Sequence, residues 1–291
     1  MRNTRLTAVL GALTLALAVG ACGSSDDAGS GGGSKSFPAG STMERLNQAQ
    51  SIKVGTKFDQ PGFGQKGLSG KPEGFDVEVA KLIVKELGIP EDKIQYVETP
   101  SKVREDAIVN GQADMVVATY TINDKRKERV AFAGPYYEAG QNIMVKKDDT
   151  SITGPDSFQD GTKKVCSVTG STPAEEIKKH VKNVATQLVL FDTYDKCRDA
   201  LKGGQVNAVT TDNVILLGYI SKDQGSFKLA GDNFTTEPYG IGVKKDDTAF
   251  RGFIIDVLDK SYKDGSWKKA WDDTAGKFGA ELGSAPTVNR Y

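Results

Sequence analysis

The sequence predicts an α/β protein of two lobes, each a mostly parallel sheet flanked by helices, joined by two hinge strands. Three observations carry this. Short apolar runs alternate with amphipathic stretches from residue 52 onward, the pattern of a parallel sheet with crossover helices. Residues 142–149 (NIMVKKDD) and 240–247 (GIGVKKDD) are near copies, and the stretch between them has an alternation of its own. Both copies read as extended crossing segments, so the second lobe is an insertion entered and left by similar strands, and two crossings make a hinge. Lastly, hydroxyls and charges follow the apolar runs, where open α/β sheets hold their ligands.

The 291 residues suffice for two modest domains. Basic and acidic residues balance at 38 each, which gives no basic excess for nucleic acid. Residues 1–21 hold Arg2 and Arg5 and no acids, so removing them leaves 36 basic against 38 acidic residues, a net of −2. That segment has a basic start, an apolar run over 6–19 and small residues before Cys22, which together make a secretory signal. Residues 22–40, rich in Gly, Ser and Asp, cannot bury enough surface to order and form a tether. The first lobe is expected over 41–145 and 242–282, the inserted lobe over 146–241, and a loose tail over 283–291.

In the first lobe a short helix over 43–50 is capped by Ser41 or Thr42, and residues 52–55 are the first strand. Residues 62–67 spell GFGQKG, the dinucleotide fingerprint, but no helix can open in LSGKP, so they form a glycine-rich loop. Residues 75–87 are an amphipathic helix with Phe75, Val79, Leu82, Ile83 and Leu87 on one face, closed by Gly88. Asp76 and Glu78 in its first turn are candidates for a general acid and base, but they read as a solvated acidic pair favoured by the helix dipole. A strand over 94–97 and a helix over 103–110, with Arg104 in its first turn, follow. Residues 115–118 (MVVA) read as a buried strand that stops at Thr119, Tyr120 and Thr121; Asn123 and Asp124 then cap a helix over 125–130 carrying Arg126. A guanidinium among hydroxyls at a strand end suits a carboxylate, which it meets with two parallel hydrogen bonds.

In the inserted lobe a strand over 164–168 leads to Gly170, Ser171 and Thr172, with Pro173 opening a helix. Free N–H groups at such a helix start bind anions, which makes this a second clamp for a carboxylate. Asp212 ends the strand over 207–211, where it can pair with an ammonium group or act as a plain N-cap. Cys166 and Cys197, an even pair in an exported chain, suggest a disulfide, and a two-cysteine metal site would lack its other ligands. His180 stands alone among lysines. There is no machinery for a hydrolase or metalloenzyme, so no metal and no cofactor is expected. Trp267 and Trp271, four apart on a C-terminal helix, read as core.

Residues 119–126 (TYTINDKR) resemble the ligand-arginine segment of the periplasmic solute-binding proteins for polar amino acids, and residues 74–87 (GFDVEVAKLIVKEL) resemble a second signature of that family. The likeness runs over 52–278 and is close to the actinobacterial glutamate-binding lipoproteins of import systems. It implies the two-lobe periplasmic-binding-protein fold, and a monomer without catalysis that hands L-glutamate or a related amino acid to an ABC permease and its ATPase. By the same resemblance, Arg126 with Gly170, Ser171 and Thr172 would hold the α-carboxylate; Asp212, Thr119 and Thr121 the α-ammonium; Lys57 and Arg104 the side-chain carboxylate. Val19-Gly20-Ala21-Cys22 resembles the lipobox, so Cys22 would be acylated and anchor the protein to the outer face of the membrane. Thr119 stands where many relatives have Gly, and Lys57 where a related branch has Arg and a neutral-ligand branch Asp. Glutamine binding, a cyclohexadienyl dehydratase-like enzyme and a sensor domain are the other readings the fold admits.

Overall fold

A computed structural model describes residues 35–290; the signal segment, the lipobox and most of the tether lie outside the described residues. In chain order the elements are α1 (Thr42–Ala49), β1 (Ile52–Thr56), β2 (Asp59–Gln60), β3 (Gly64–Lys66), β4 (Pro72–Glu73), α2 (Phe75–Glu86), β5 (Ile94–Glu98), α3 (Arg104–Val109), β6 (Met115–Val116), α4 (Asp124–Lys127) and β7 (Val130–Ala139). They continue with β8 (Gln141–Lys146), β9 (Val165–Val168), α5 (Thr172–Ile177), α6 (Val184–Gln187), β10 (Leu188–Phe191), α7 (Tyr194–Lys202), β11 (Ala208–Asp212), α8 (Asn213–Lys222), β12 (Phe227–Leu229), β13 (Glu237–Lys244), α9 (Thr248–Asp264) and α10 (Ser266–Asp273).

Two five-stranded sheets form the lobes, ordered β5-β1-β6-β13-β7 and β10-β9-β11-β8-β12. Within each, the first three strands are parallel, the fourth runs antiparallel to both neighbours, and the fifth resumes the common direction. The sheets are mostly parallel as expected, four strands of five sharing a direction, and the single reversed strand makes each of them mixed. The reversed strands are β8 and β13, which contain the two near-copied segments. Those segments are not the crossings. Each is the fourth strand of its own sheet, and the likeness of sequence reflects an equivalent position in two lobes built on one plan. The chain crosses instead at Gly140, between β7 and β8, and returns between β12 and β13. Both crossings lie side by side, with Glu237 opposite Ala139 and the Phe234 N–H donating to the Gln141 carbonyl at 3.0 Å.

Of the predicted stripe of α2, Phe75, Val79, Ile83 and Leu87 are fully buried and Leu82 is half-buried, and the helix packs against β1 and α10. Trp267 and Trp271 are core, Trp271 stacking on Tyr137 at 4.7 Å. Ser41 is the N-cap of α1. The glycine-rich loop folds into the small antiparallel β2–β3–β4 sheet. Cys166 and Cys197 form a disulfide between β9 and α7, with Cα atoms 5.5 Å apart. The C-terminal residues are less loose than expected. Val288 packs against the core, the Asn289 N–H donates to the Gly134 carbonyl at 2.8 Å, and Arg290 pairs with Asp256 and Asp259 of α9.

Candidate functional site

Strand ends of the two sheets face one another across a cleft, and the residues singled out from the sequence line it. Lys57 follows β1 and is 3% exposed; its Nζ donates to Ser101 Oγ at 2.8 Å. Burial, aided by the nearby Arg104 cation, pulls its pKa down to about 7. A short 3-10 turn, Ser101–Val103, presents Ser101 and delivers Arg104 as the first residue of α3.

Arg104 and Arg126 share one aromatic partner. Their guanidinium carbons lie 4.1 and 5.1 Å from the centroid of the Tyr120 ring, a face that attracts cations. Arg104 Nη1 donates to the carbonyls of Ala118 and Thr119 at 2.9 and 3.2 Å, while its Nε is buried without a hydrogen-bond partner. Arg126 sits in α4, shorter than expected and capped by Asn123, whose Oδ1 accepts from the Arg126 N–H. Its Nη1 donates to the Thr121 carbonyl at 2.6 Å, and its Nε lies 3.4 Å from Glu105 Oε1. Its Nη2 reaches across the cleft to the Gly170 carbonyl at 3.2 Å. Burial first and Arg104 second lower its pKa to about 10. Three buried cations thus converge on one cleft.

Thr119 has a φ of 45°, the left-handed region that favours glycine. This accounts for the glycine that the resemblance places there. Its backbone N–H donates to Asp76 Oδ2 at 2.8 Å, and its Oγ1 donates at 3.0 Å to Gln60 Oε1. Asp76 is therefore not a solvated helix-start acid. It is fully buried and also accepts from the Tyr136 hydroxyl at 2.5 Å. Desolvation raises its pKa to about 6. The dipole argument missed it because the first turn of α2 points into the cleft floor.

From the second lobe, Ser171 caps α5 by accepting from the Ala174 N–H. Thr172 is then the first helical residue and Pro173 the second. Thr172 Oγ1 donates to Glu237 Oε2 at 2.7 Å and lies 3.3 Å from Thr121 Oγ1 of the other lobe. Gly170 (φ 80°) lies against the first lobe: a Cβ there would stand 2.8 Å from the Lys102 Cα. Asp212 precedes α8 but its side chain does not cap it. One oxygen, Oδ2, accepts from the Tyr239 hydroxyl at 2.6 Å, and Oδ1 is buried with no hydrogen-bond partner. Desolvation, with Glu237 next, raises its pKa to about 7.

The cleft mouth is a cavity of about 260 Å³ lined by Ser101, Glu105, Arg126, Gly170 and Thr172 among others. Deeper, Arg104, Thr119, Thr121, Thr172 and Asp212 close around about 10 Å³, which is the room of one water. An amino acid reaches those groups only when the lobes part. Sequence reasoning missed Ser101, Gln60, Asp59 and Glu237 as parts of this cleft, and it counted Tyr120 as a hydroxyl rather than as the ring under two arginines. Tyr120 alone carried a signal, as an aromatic set between two hydroxyls at a strand end.

Comparisons with known proteins show the family. Residues 52–273 match the family described as bacterial extracellular solute-binding proteins, family 3. The chain is 39% identical to the glutamate-binding protein GluB of Corynebacterium efficiens, over 94% of this chain and 92% of that one. It is 38% identical to the ABC transporter glutamine-binding protein GlnH of Bacillus subtilis, over 86% of this chain and 89% of that one. Among solved structures it is similar to an ancestral arginine-binding protein bound to glutamine, with a TM-score of 0.71 and 35% identity, covering 77% of this chain and 97% of that one.

Proposed function

The chain belongs to the bacterial extracellular solute-binding proteins of family 3, and from that premise we propose that it captures L-glutamate between its lobes for an ABC importer. The observation that carries the reading is the charge pattern of the cleft. Arg104 and Asp212 line the deep pocket, Arg126 lines its mouth, and Lys57 stands behind Ser101 of the wall; the Oδ1 of Asp212 has no partner. Glutamate bears two carboxylates and one ammonium, the complement of that set. Arg126, with Ser171, Thr172 and the turn at Gly170, takes the α-carboxylate. Asp212, Thr119 and Thr121 take the α-ammonium, and Lys57 with Arg104 takes the side-chain carboxylate. A charge-assisted, bidentate pairing suits Arg at both carboxylates better than Lys.

The ligand does no chemistry here. It binds the closed form better than the open one and shifts that equilibrium, and a permease with its ATPase reads the closed form. Acylation of Cys22 keeps the protein at the outer membrane face; mass spectrometry of its N-terminal peptide without diacylglycerol would remove that anchor. A glutamine ligand is favoured by the 38% identity to the glutamine-binding protein GlnH and by a Lys57 pulled to about 7, which spends part of its time neutral. Calorimetry with glutamate, aspartate and glutamine on protein beginning at Lys35 separates the readings. Glutamate is expected to bind most tightly; tighter glutamine binding, or no binding of any amino acid, would refute the assignment.

A further inference from the structure

Asp59 lies in β2, two residues beyond Lys57, yet its side chain belongs to a contact with the other lobe. Its Oδ2 accepts from the backbone N–H of Tyr194 at 2.8 Å. Tyr194 is the first residue of α7, a nine-residue helix whose own N-cap, Thr193, makes no side-chain cap and gives its hydroxyl to Asp195. The opening turn of α7 is thus capped by a carboxylate from across the cleft. Two further contacts bind the same strand to α8. The Tyr219 hydroxyl donates to the Asp59 carbonyl at 2.7 Å. One residue earlier, Gly218 lets α8 approach so closely that a Cβ would stand 2.4 Å from the Pro61 carbonyl oxygen.

We propose that Asp59 is an interlobe latch, a positioning residue that sets how much of the protein is closed and so scales the affinity for every ligand alike. The inference rests on the reading of ligand capture by lobe closure. A carboxylate at a helix N-terminus is favoured by the helix dipole and by a charge-assisted hydrogen bond. When the lobes part, the Tyr194 N–H, the Tyr219 hydroxyl and the carboxylate all return to water, so this stabilisation exists in the closed form alone. Apparent affinity is intrinsic affinity multiplied by the closed-competent fraction. A change at Asp59 must therefore move all ligands by one factor, unlike a change at a residue that reads the ligand. Lys57 and Asp195 are the charges near Asp59; a role through Lys57, the cation of the two, would instead discriminate between acidic and neutral ligands.

The test uses protein beginning at Lys35 and the variants Asp59→Asn, Asp59→Ala and Tyr219→Phe. Calorimetry measures glutamate and glutamine binding. Pulsed electron spin resonance measures the lobe separation without ligand, between spin labels on Lys93→Cys and Lys179→Cys. Asp59→Ala is expected to weaken both ligands by the same factor, on the order of tenfold. Asp59→Asn should weaken them less, because the amide oxygen still accepts from Tyr194, and Tyr219→Phe should show a smaller equal loss. The ligand-free separation should lengthen in the same order. Unchanged affinities and separations overturn the latch, and so does a loss confined to glutamate, which would tie Asp59 to Lys57. Should the wild type bind no amino acid, the proposed function fails, but the separations still decide for or against the latch.

Discussion

Replacing Arg104 with methionine keeps a stem over the Tyr120 ring and removes the guanidinium, and the structure separates two consequences. Arg104 Nη1 donates to the carbonyls of Ala118 and Thr119. Losing those bonds releases the strained Thr119 turn, at roughly 1 kcal/mol for each bond, and every ligand feels it. The other consequence is selective. A charge-assisted bond to a side-chain carboxylate contributes roughly 1.5–3 kcal/mol, and glutamine, whose amide oxygen still accepts from a guanidinium, lacks the opposite charge and keeps part of it. With about 1.4 kcal/mol for each factor of ten, the preference for glutamate over glutamine should fall by at most about 10- to 150-fold on top of a shared loss. Parallel titrations of wild type and Arg104→Met with both ligands measure the ratio directly. If the ratio stays constant while both affinities drop, Arg104 only supports the backbone, and the assignment of the side-chain subsite is refuted.

Binding should also carry a signature in pH. Asp212, raised to about 7, must be ionised to hold an ammonium group, so affinity for any amino acid rises as pH climbs through about 7. Lys57, lowered to about 7, must stay protonated to hold a second carboxylate, so the glutamate-specific part falls above that pH. Glutamate should give a bell-shaped profile and glutamine a rise to a plateau; identical profiles would count against a charged role for Lys57. For the disulfide, Cys166→Ser with Cys197→Ser should cost about 3–4 kcal/mol of stability, the chain-entropy value for a 31-residue separation. Denaturant titration measures it, and two free thiols in unreduced, denatured wild type would remove its basis.

The parts of the site legible in the sequence are those fixed by local rules. Arg126 could be placed because a buried strand, hydroxyls and an Asn cap stand in one continuous segment. The disulfide needed only the two cysteines that remain beside Cys22 in an exported chain. Asp76 was not legible as a site support: the α2 pattern shows which apolar side chains face the core, but not that the cleft floor covers one of two acids in its first turn. Asp59 and Gln60 were hidden in a glycine-rich stretch that offers no period at all. The repeated KKDD segments were visible, but their meaning was topological. Only pairing partners show that they are matching reversed strands rather than the crossings themselves.

The crossings have a mechanical consequence. A single chain joining two bodies is a swivel, with bending and twisting equally free. Here two backbones pass between the sheets side by side, held together where Glu237 pairs with Ala139. Twisting one sheet against the other would stretch one backbone and compress its neighbour, so that mode is stiff and bending across the pair remains soft. Relative motion is reduced to nearly one rotational freedom. On the proposed capture by lobe closure, groups that meet across the cleft, Arg126 with Gly170 and Thr121 with Thr172, would return to the same registration at each closure, and the alignment would come from the joint rather than from the solute.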